Sequence, residues 1–551
     1  MAEAAGVALG VVGVAGAFKG AIDTALFIGS FFDKGKAEYD SVILEYHVQQ
    51  VRLQLWGDHC KATDSDNHAH HMKSQSIKNL IVRILGQIQK LNEDIKKLAE
   101  KYGIDTSMTQ TTATDLDKNL HPGSDLAKEI AKKDPKEIKP KHLFSWVAKT
   151  RSEIKEKINE IETNINHLYD ITLQTREIQL LDNSLEGPVL APITREYLLQ
   201  ILTKTDTKTR RPLALSARTK LLLSKISLNP GLVTYISRQQ LTLVQNSPKP
   251  NSIYSLRCHD EQHITVRIEW NELSAGSGRQ EYVDRINSLG YILEQVSEPD
   301  LRLPPCYGVF DDVEYEKNNG MKRLGYVFGI PDIGSASQGQ EDAYDSDILR
   351  RPPTSLRDLI QNKKVRIPFL GKRFELAFAL ACAFGRFHAA GWLHKGFHSG
   401  NILFFHKRGE QGVNVAEPFI TGFQYSRPQG ANSLSSSPLD NSSLDCYYHP
   451  HAERGFTRRL DLYSLGVVLY EIGRWQLVAD QQVQCKDRTQ WHKYLSEKGY
   501  KDLGWRMGEQ YQSVVKTLLN CDLPPNDDIA HEYFAQQYLD KVTRPLSSCT
   551  T

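Results

Sequence analysis

The sequence predicts a multidomain chain of two parts, an N-terminal all-α helical bundle followed by a two-lobed α+β domain. Three observations carry that expectation. Up to about residue 185, apolar residues recur at steps of three and four, the period of helices that share one core. From residue 253 the pattern changes to short β-branched runs that alternate with helical stretches. Within this second part, Gly391–Phe405 reads GWLHKGFHSGNILFF, a polar turn that leaves an apolar helix and closes on a short strand. At 551 residues the chain exceeds one ordinary core, and about two or three domains are expected.

Charge and cysteine usage exclude several classes. The 68 basic and 66 acidic side chains nearly cancel, so there is no global pull toward nucleic acid or acidic lipid. Basic residues are not clustered with aromatics on one strand or helix, and no nucleic-acid partner is expected. The 8 cysteines are scattered, with no metal-ligand or CxxC spacing, which reads as reduced thiols in a cytoplasmic protein. His68, His70 and His71 lie in a polar stretch without a cysteine or carboxylate constellation and read as a solvated loop, so no metal is expected.

The first 32 residues leave two readings open. Residues 5–18, AGVALGVVGVAGAF, carry no charge; Lys19 and Asp23 interrupt before ALFIGSFF. A bilayer span needs about 20 mostly apolar residues, and each of those two charges costs a few kcal/mol at mid-membrane. The stretch is therefore a poor constitutive span, and Glu3 stands where a secretory signal needs a basic flank. In one reading the segment is a helix buried in a soluble bundle. In the other it is held in the bundle and leaves it to enter a membrane, with Val11, Val12, Leu26, Phe27 and Ile28 as inserting residues. The pairs Gly6/Gly10 and Gly16/Gly20 have the spacing that lets helices touch in lipid.

The bundle itself is read from three seams. Leu44, Val48, Val51 and Leu55 lead to Trp56 and Gly57. Ile77, Ile81, Ile84, Ile88, Leu91, Ile95 and Leu98 step by four and three along a long helix closed by Gly103. Val147, Ile154, Ile158, Ile161, Ile165 and Leu168 form the third. A coiled-coil dimer competes, but loops after three or four heptads favour an intramolecular bundle.

Particular residues of this part carry a family resemblance. The alanine/glycine/valine opening, Phe18–Ile28 as F-x-x-A-I-x-x-x-x-x-I, and Leu53–Gly57 as L-x-L-W-G resemble the HeLo domain of fungal heterokaryon-incompatibility proteins, of the prion-inhibition and propagation type. The resemblance implies a membrane-active cell-death effector whose N-terminal segment inserts. Polar, proline-containing breaks place a boundary near QNSPKPNS, giving a bundle over 1–230, a linker over 231–252 and a second domain over 253–551.

The second domain is read strand by strand. HITVRIEW, His263–Trp270, alternates and is β-branched, with SIYSLRCH as its hairpin partner. YVDRINSLGYILEQV is helical; RLPPCYGVF and GYVFGIP are strands; SLRDLI opens a helix, and KRFELAFALACAFGRFHAAGW is a long apolar one leading into the central loop. That loop resembles the protein-kinase catalytic loop, H-R-D-L-x-x-x-N, in His394 and Asn401, and DLYSLGVVLYEIG, Asp461–Gly473, resembles a large-lobe kinase helix whose Asp461 would hold the loop backbone.

The same resemblance shows what is missing. A kinase needs a glycine loop, a strand lysine, a loop aspartate and a metal-binding aspartate. The turn HDEQH has no glycine, and GSG at 276–278 comes after the strand. The lysine position falls on Asn271 (Arg267 the other candidate), with Glu294 or Asp284 as the former lysine partner. The catalytic aspartate is Gly396 and the metal-binding aspartate is Gly422, followed by Phe423. A glycine hydrogen neither accepts a proton nor ligates a hard cation. The resemblance thus implies a kinase fold without kinase chemistry, a pseudokinase with no cofactor.

Joined, the two halves predict an effector in which a membrane-active bundle is controlled by a binding or sensing module, in the manner of animal necroptotic effectors. A non-membrane signalling scaffold and a noncanonical active kinase are the alternatives. Expected partners are a protein activator or NLR-type receptor, membrane lipid on activation, and a second copy of the chain. The expected location is cytoplasmic, with conditional association with the plasma membrane. The serines of 426–445 are candidates for phosphorylation.

Overall fold

The computed structural model describes residues 13–32, 40–63, 74–101 and 151–173, with short pieces between 177 and 203. It further describes 211–225, 231–244, 252–258, 262–273, 279–330, 352–406, 412–428, 442–454, 456–482, 487–524 and 531–549. Val11, Val12, His68, His70, His71, Val147, the glycines at 276 and 278 and the serines of 429–441 lie outside the described residues. The chain divides into two compact units, Met1–Ile201 and Leu202–Thr551.

The first unit is built on helices α1 (Val14–Phe32), α2 (Asp40–His59), α3 (Gln75–Lys101) and α4 (Arg151–Thr172), with a short α5 (Glu186–Leu190) against α2. The predicted seams are the core. Ile81, Ile84, Ile88, Leu91 and Ile95 of α3 and Ile154, Ile158, Ile161, Ile165 and Leu168 of α4 are buried. Helix α1 packs on α2 and α3, burying Val14, Ala17, Phe18, Ala21, Ile22 and Ala25, while Lys19 and Asp23 face water. This spacing at three and four makes α1 amphipathic across the charges that interrupt its sequence.

Close fitting fixes α1 in place. A Cβ on Gly57 would stand 2.0 Å from Cζ of Phe18, so the phenylalanine ring lies directly on the glycine. The same ring meets Trp56 at 5.9 Å, and the Trp56 indole N–H donates to Oγ1 of Thr172 on α4 at 2.8 Å. The L-x-L-W-G motif is thereby a socket for α1. Buried Asn92 donates to the Ala21 carbonyl (3.4 Å) and accepts from Tyr46 (2.9 Å), satisfying polar groups that would otherwise be costly in this core.

The second unit opens with α6 (Arg211–Ser224), which packs on later elements of this unit, so residues 211–224 belong here and not with the bundle. The segment expected to be a linker, 231–252, holds two strands. β1 (Tyr235–Ile236), β2 (Leu241–Leu243), β3 (Ile253–Arg257), β4 (His263–Leu273), β5 (Cys306–Asp311) and β6 (Lys322–Gly329) form one sheet in the order β1-β5-β6-β4-β3-β2. Only β1 and β5 run parallel, with Tyr235 opposite Val309. Two short strands without alternation give too weak a period to read, which is why the sequence suggested a linker. Helix α7 (Arg279–Val296) packs on β5, and Gly290 permits the approach: a Cβ there would meet Val309 at 2.6 Å.

The remainder is mostly helical. After α8 (Val313–Asn319), which the sequence reading missed, come β7 (Thr354–Ser355), α9 (Leu356–Gln361) and α10 (Leu370–Ala389). Ser355 caps α9, its hydroxyl accepting from the Asp358 N–H in a reciprocal capping box. Strands β8 (Trp392–Leu393), β9 (Ile402–Phe404), β10 (Phe419–Ile420) and β11 (Arg427–Pro428) pair as β10-β9-β7 and β11-β8. Helix α11 (Arg458–Arg474) packs on α10 and is buried along nearly its whole length, and the polar side chains it carries into that core, Asp461, Ser464 and Glu471, each have hydrogen-bond partners.

Candidate functional site

The loop between β8 and β9 is held by one carboxylate. Asp461, fully buried on α11, accepts from the backbone N–H of His394 (3.0 Å) and of Lys395 (2.8 Å) and from Nε2 of His388 (3.0 Å). Burial alone would raise its carboxyl; the hydrogen bond from His388, the nearby His388 and His394 rings and the Lys395 N–H outweigh burial and hold it below the ordinary carboxylate range. Burial pushes His388 down, and its Nδ1 has no hydrogen-bond partner, so the ring is neutral and carries its proton on Nε2 toward Asp461. The two donated N–H groups also fix Lys395 in the left-handed region, φ +68°, where a non-glycine residue costs about 1–2 kcal/mol.

His394 ties this loop to the next strand. Its Nε2 donates to the Thr421 carbonyl at 2.9 Å, and its Nδ1 accepts from the Gly396 N–H at 3.3 Å, which sets the neutral tautomer; burial lowers its pKa. The ring sits against Phe397 (5.5 Å) and Phe423 (5.1 Å). Asn401 donates from Nδ2 to the Gly396 carbonyl (2.8 Å) and accepts, through its own carbonyl, from the Thr421 N–H (2.9 Å). Residues 394, 396, 401, 422 and 461, singled out from the sequence, thus converge on one spot.

At two of these positions an added side chain would crowd a neighbour. A Cβ on Gly422 would lie 1.9 Å from Nδ2 of Asn401, and the residue has φ +87°. A Cβ on Gly396 would meet the Tyr425 ring at 3.0 Å.

The sequence reading missed the side chain that completes the site. Glu269 of β4 is buried, and its carboxylate forks onto two backbone donors: Oε2 accepts from the Gly422 N–H at 2.7 Å and Oε1 from the Phe423 N–H at 2.6 Å. Successive backbone N–H groups at a turn form an anion-binding concavity, here filled by the chain's own acid. Burial raises the Glu269 pKa, opposed by the Gly422 N–H, the Arg267 charge, and the N–H groups of Phe423 and Gln424. Burial likewise lowers Arg267, opposed by Glu269.

Asn271, read from the sequence as the lysine position, does not make this contact. Arg267, Glu269 and Asn271 share one face of β4, but the member that reaches residues 422–424 is Glu269. Asn271 is buried beside it, with only a long contact from Nδ2 to the Leu324 carbonyl, 3.5 Å, and no partner for Oδ1. The two acids read as the helix partner are engaged elsewhere. Glu294 accepts from the Thr234 N–H (2.8 Å) and Asp284 from Gln280 (2.8 Å). The α7 residue on this site is Arg285, which donates to the Ser426 carbonyl at 3.0 Å.

On the far side of the loop, Glu471 of α11 accepts from the Tyr447 hydroxyl (2.8 Å) and the Val478 N–H (2.9 Å), and Tyr447 meets Ser399 at 2.9 Å. Burial pushes the Glu471 carboxyl up to about 7.

Residues 6–186 match the HeLo family model, described as prion-inhibition and propagation. The helical region of the first unit is therefore a HeLo match, and its family is associated with cell death and prion inhibition. Phe18, Trp56 and Gly57 of the socket fall inside the matched range. No curated protein matches the chain. Of the inserting residues proposed for the HeLo region, Leu26, Phe27 and Ile28 lie on α1, though their side chains are outside the description, as are Val11 and Val12 altogether. Among the described residues no helix is long and apolar enough to cross a membrane.

At Gly396, Asn401 and Gly422 the side chains supply one amide and no carboxylate, and the Gly422 and Phe423 N–H groups are already taken by Glu269.

Proposed function

We propose that the chain is a cell-death effector of the heterokaryon-incompatibility type, in which the HeLo bundle acts and the second unit, a kinase-like fold without kinase chemistry, binds or senses the signal. The HeLo match supports the first half. The kinase-like reading is supported by Asp461 gripping the His394–Lys395 backbone, by His394 on the Thr421 carbonyl and by Asn401 on Gly396. The observation that carries the loss of chemistry is the Glu269 fork on Gly422 and Phe423. That contact is internal, repeats on every molecule, and makes the second unit a shape to be recognised, with membrane lipid engaged only on activation.

Thermal melting with magnesium and ATP tests this reading. A ligand at 100 times its Kd stabilises by about 2.7 kcal/mol, several degrees for a domain of this size. No shift at millimolar nucleotide is the expected result; a rise of several degrees overturns the reading of the second unit. Leakage of liposomes by the full chain, lost in Val11→Asp/Val12→Asp, is the expected result for the first.

A further inference from the structure

The segment between α9 and α10 presents apolar and basic side chains to water together. Residues 361–367 are exposed, and within the segment Val365, Ile367 and Phe369 are 43%, 56% and 73% exposed. Around them stand Lys363, Lys364, Arg366, Lys372 and Arg373, with no acidic residue between Asp358 and Glu375. Glu375 is engaged by Lys372 at 2.8 Å. Arg366 lies 5.5 Å from the Phe369 ring. The loop is short and tethered: Asn362 closes a turn by accepting from the Lys364 and Val365 N–H groups, and Arg373 is fastened to the Gly473 carbonyl at 3.1 Å. A loop pinned at both ends, with its apolar side chains outward, exposes them by construction.

From this we infer that the 361–373 loop is a docking surface for an anionic lipid bilayer. Apolar tips that project beyond a ring of lysine and arginine suit the headgroup boundary: the tips enter the acyl edge and the cations meet acidic headgroups. The exposed Lys363, Lys364 and Arg366 select negative charge, and the exposed aliphatic and aromatic tips select a lipid phase over an acidic polymer. The surface belongs to the second unit and does not depend on insertion of the N-terminal segment.

The test is co-sedimentation of the full chain with phosphatidylcholine vesicles, with and without phosphatidylserine. The expected result is binding only to the acidic vesicles, weakened at high salt. Lys363→Ala/Lys364→Ala should lower partitioning by roughly fivefold per charge, and Ile367→Ser/Phe369→Ser should lower it further, each at an unchanged melting temperature because the side chains are exposed. The same losses should appear in the Val11→Asp/Val12→Asp background. Equal binding by the loop variants and the parent, equal binding to neutral vesicles, or no binding of the parent to acidic vesicles overturns the inference. If only Val11→Asp/Val12→Asp abolishes binding, the loop proposal falls while the membrane role of the HeLo region stands.

Discussion

A side chain at Gly422 would begin 1.9 Å from Nδ2 of Asn401, closer than any two unbonded heavy atoms sit. Gly422→Asp and Gly422→Ala should both destabilise the second unit, by about 1–2 kcal/mol for the left-handed backbone and about 1–3 kcal/mol for overpacking. Urea unfolding reads the loss, and nucleotide binding should not appear.

Glu269 is the acceptor for two buried N–H groups and the neighbour of the Arg267 charge. Glu269→Ala should cost about 2–6 kcal/mol, about 1–3 kcal/mol for each of the buried Gly422 and Phe423 N–H donors it leaves unsatisfied. Glu269→Gln keeps one accepting oxygen and should cost distinctly less. Equal stability of the two variants in urea would show that the fork contributes nothing.

Glu471 makes stability depend on pH with an unusual sign. Its folded pKa, about 7, lies above the ordinary carboxylate range, so the folded chain holds a proton that the unfolded chain releases. This group therefore weakens the fold as pH rises from the carboxylate range to about 7. Glu471→Gln should remove that slope and gain on the parent by on the order of 3 kcal/mol between about pH 5 and about pH 8. Parallel stability curves for the two proteins would overturn the assignment.

Within the bundle, Gly57 and Phe18 form a lock whose coupling is measurable. Gly57→Ala drives a methyl into the Phe18 ring and should cost about 1–3 kcal/mol, and Phe18→Ala about 3–5 kcal/mol. The double variant should lose clearly less than the sum, since the new methyl occupies part of the vacated space. Strict additivity would mean the ring and glycine are not in contact.

How far the sequence carried depends on the length of each signal. The bundle seams and α11 were legible because apolar residues repeated over many turns, and the central loop because polar residues were bracketed by apolar runs. β1 and β2 are too short for a period. α8 rests on Asp312 as cap and Gly320 as C-terminal stop, with no buried residue of its own to mark it. Glu269 went unread because its role comes from backbone donors more than 150 residues away, which no local pattern records. For α1, Lys19 and Asp23 looked like interruptions of a membrane segment; folding turns both to the solvent side of a helix whose opposite face is filled.

The seat of Phe18 on Gly57 also sets the terms on which α1 can be withdrawn. Its departure leaves a ring-sized hollow floored by a glycine and walled by Trp56, which is itself tethered to Thr172, and a helix backbone does not slump to close such a gap. Withdrawal of α1 therefore forfeits the packing of a whole aromatic ring, a loss of about 3–5 kcal/mol that any release of the helix has to offset.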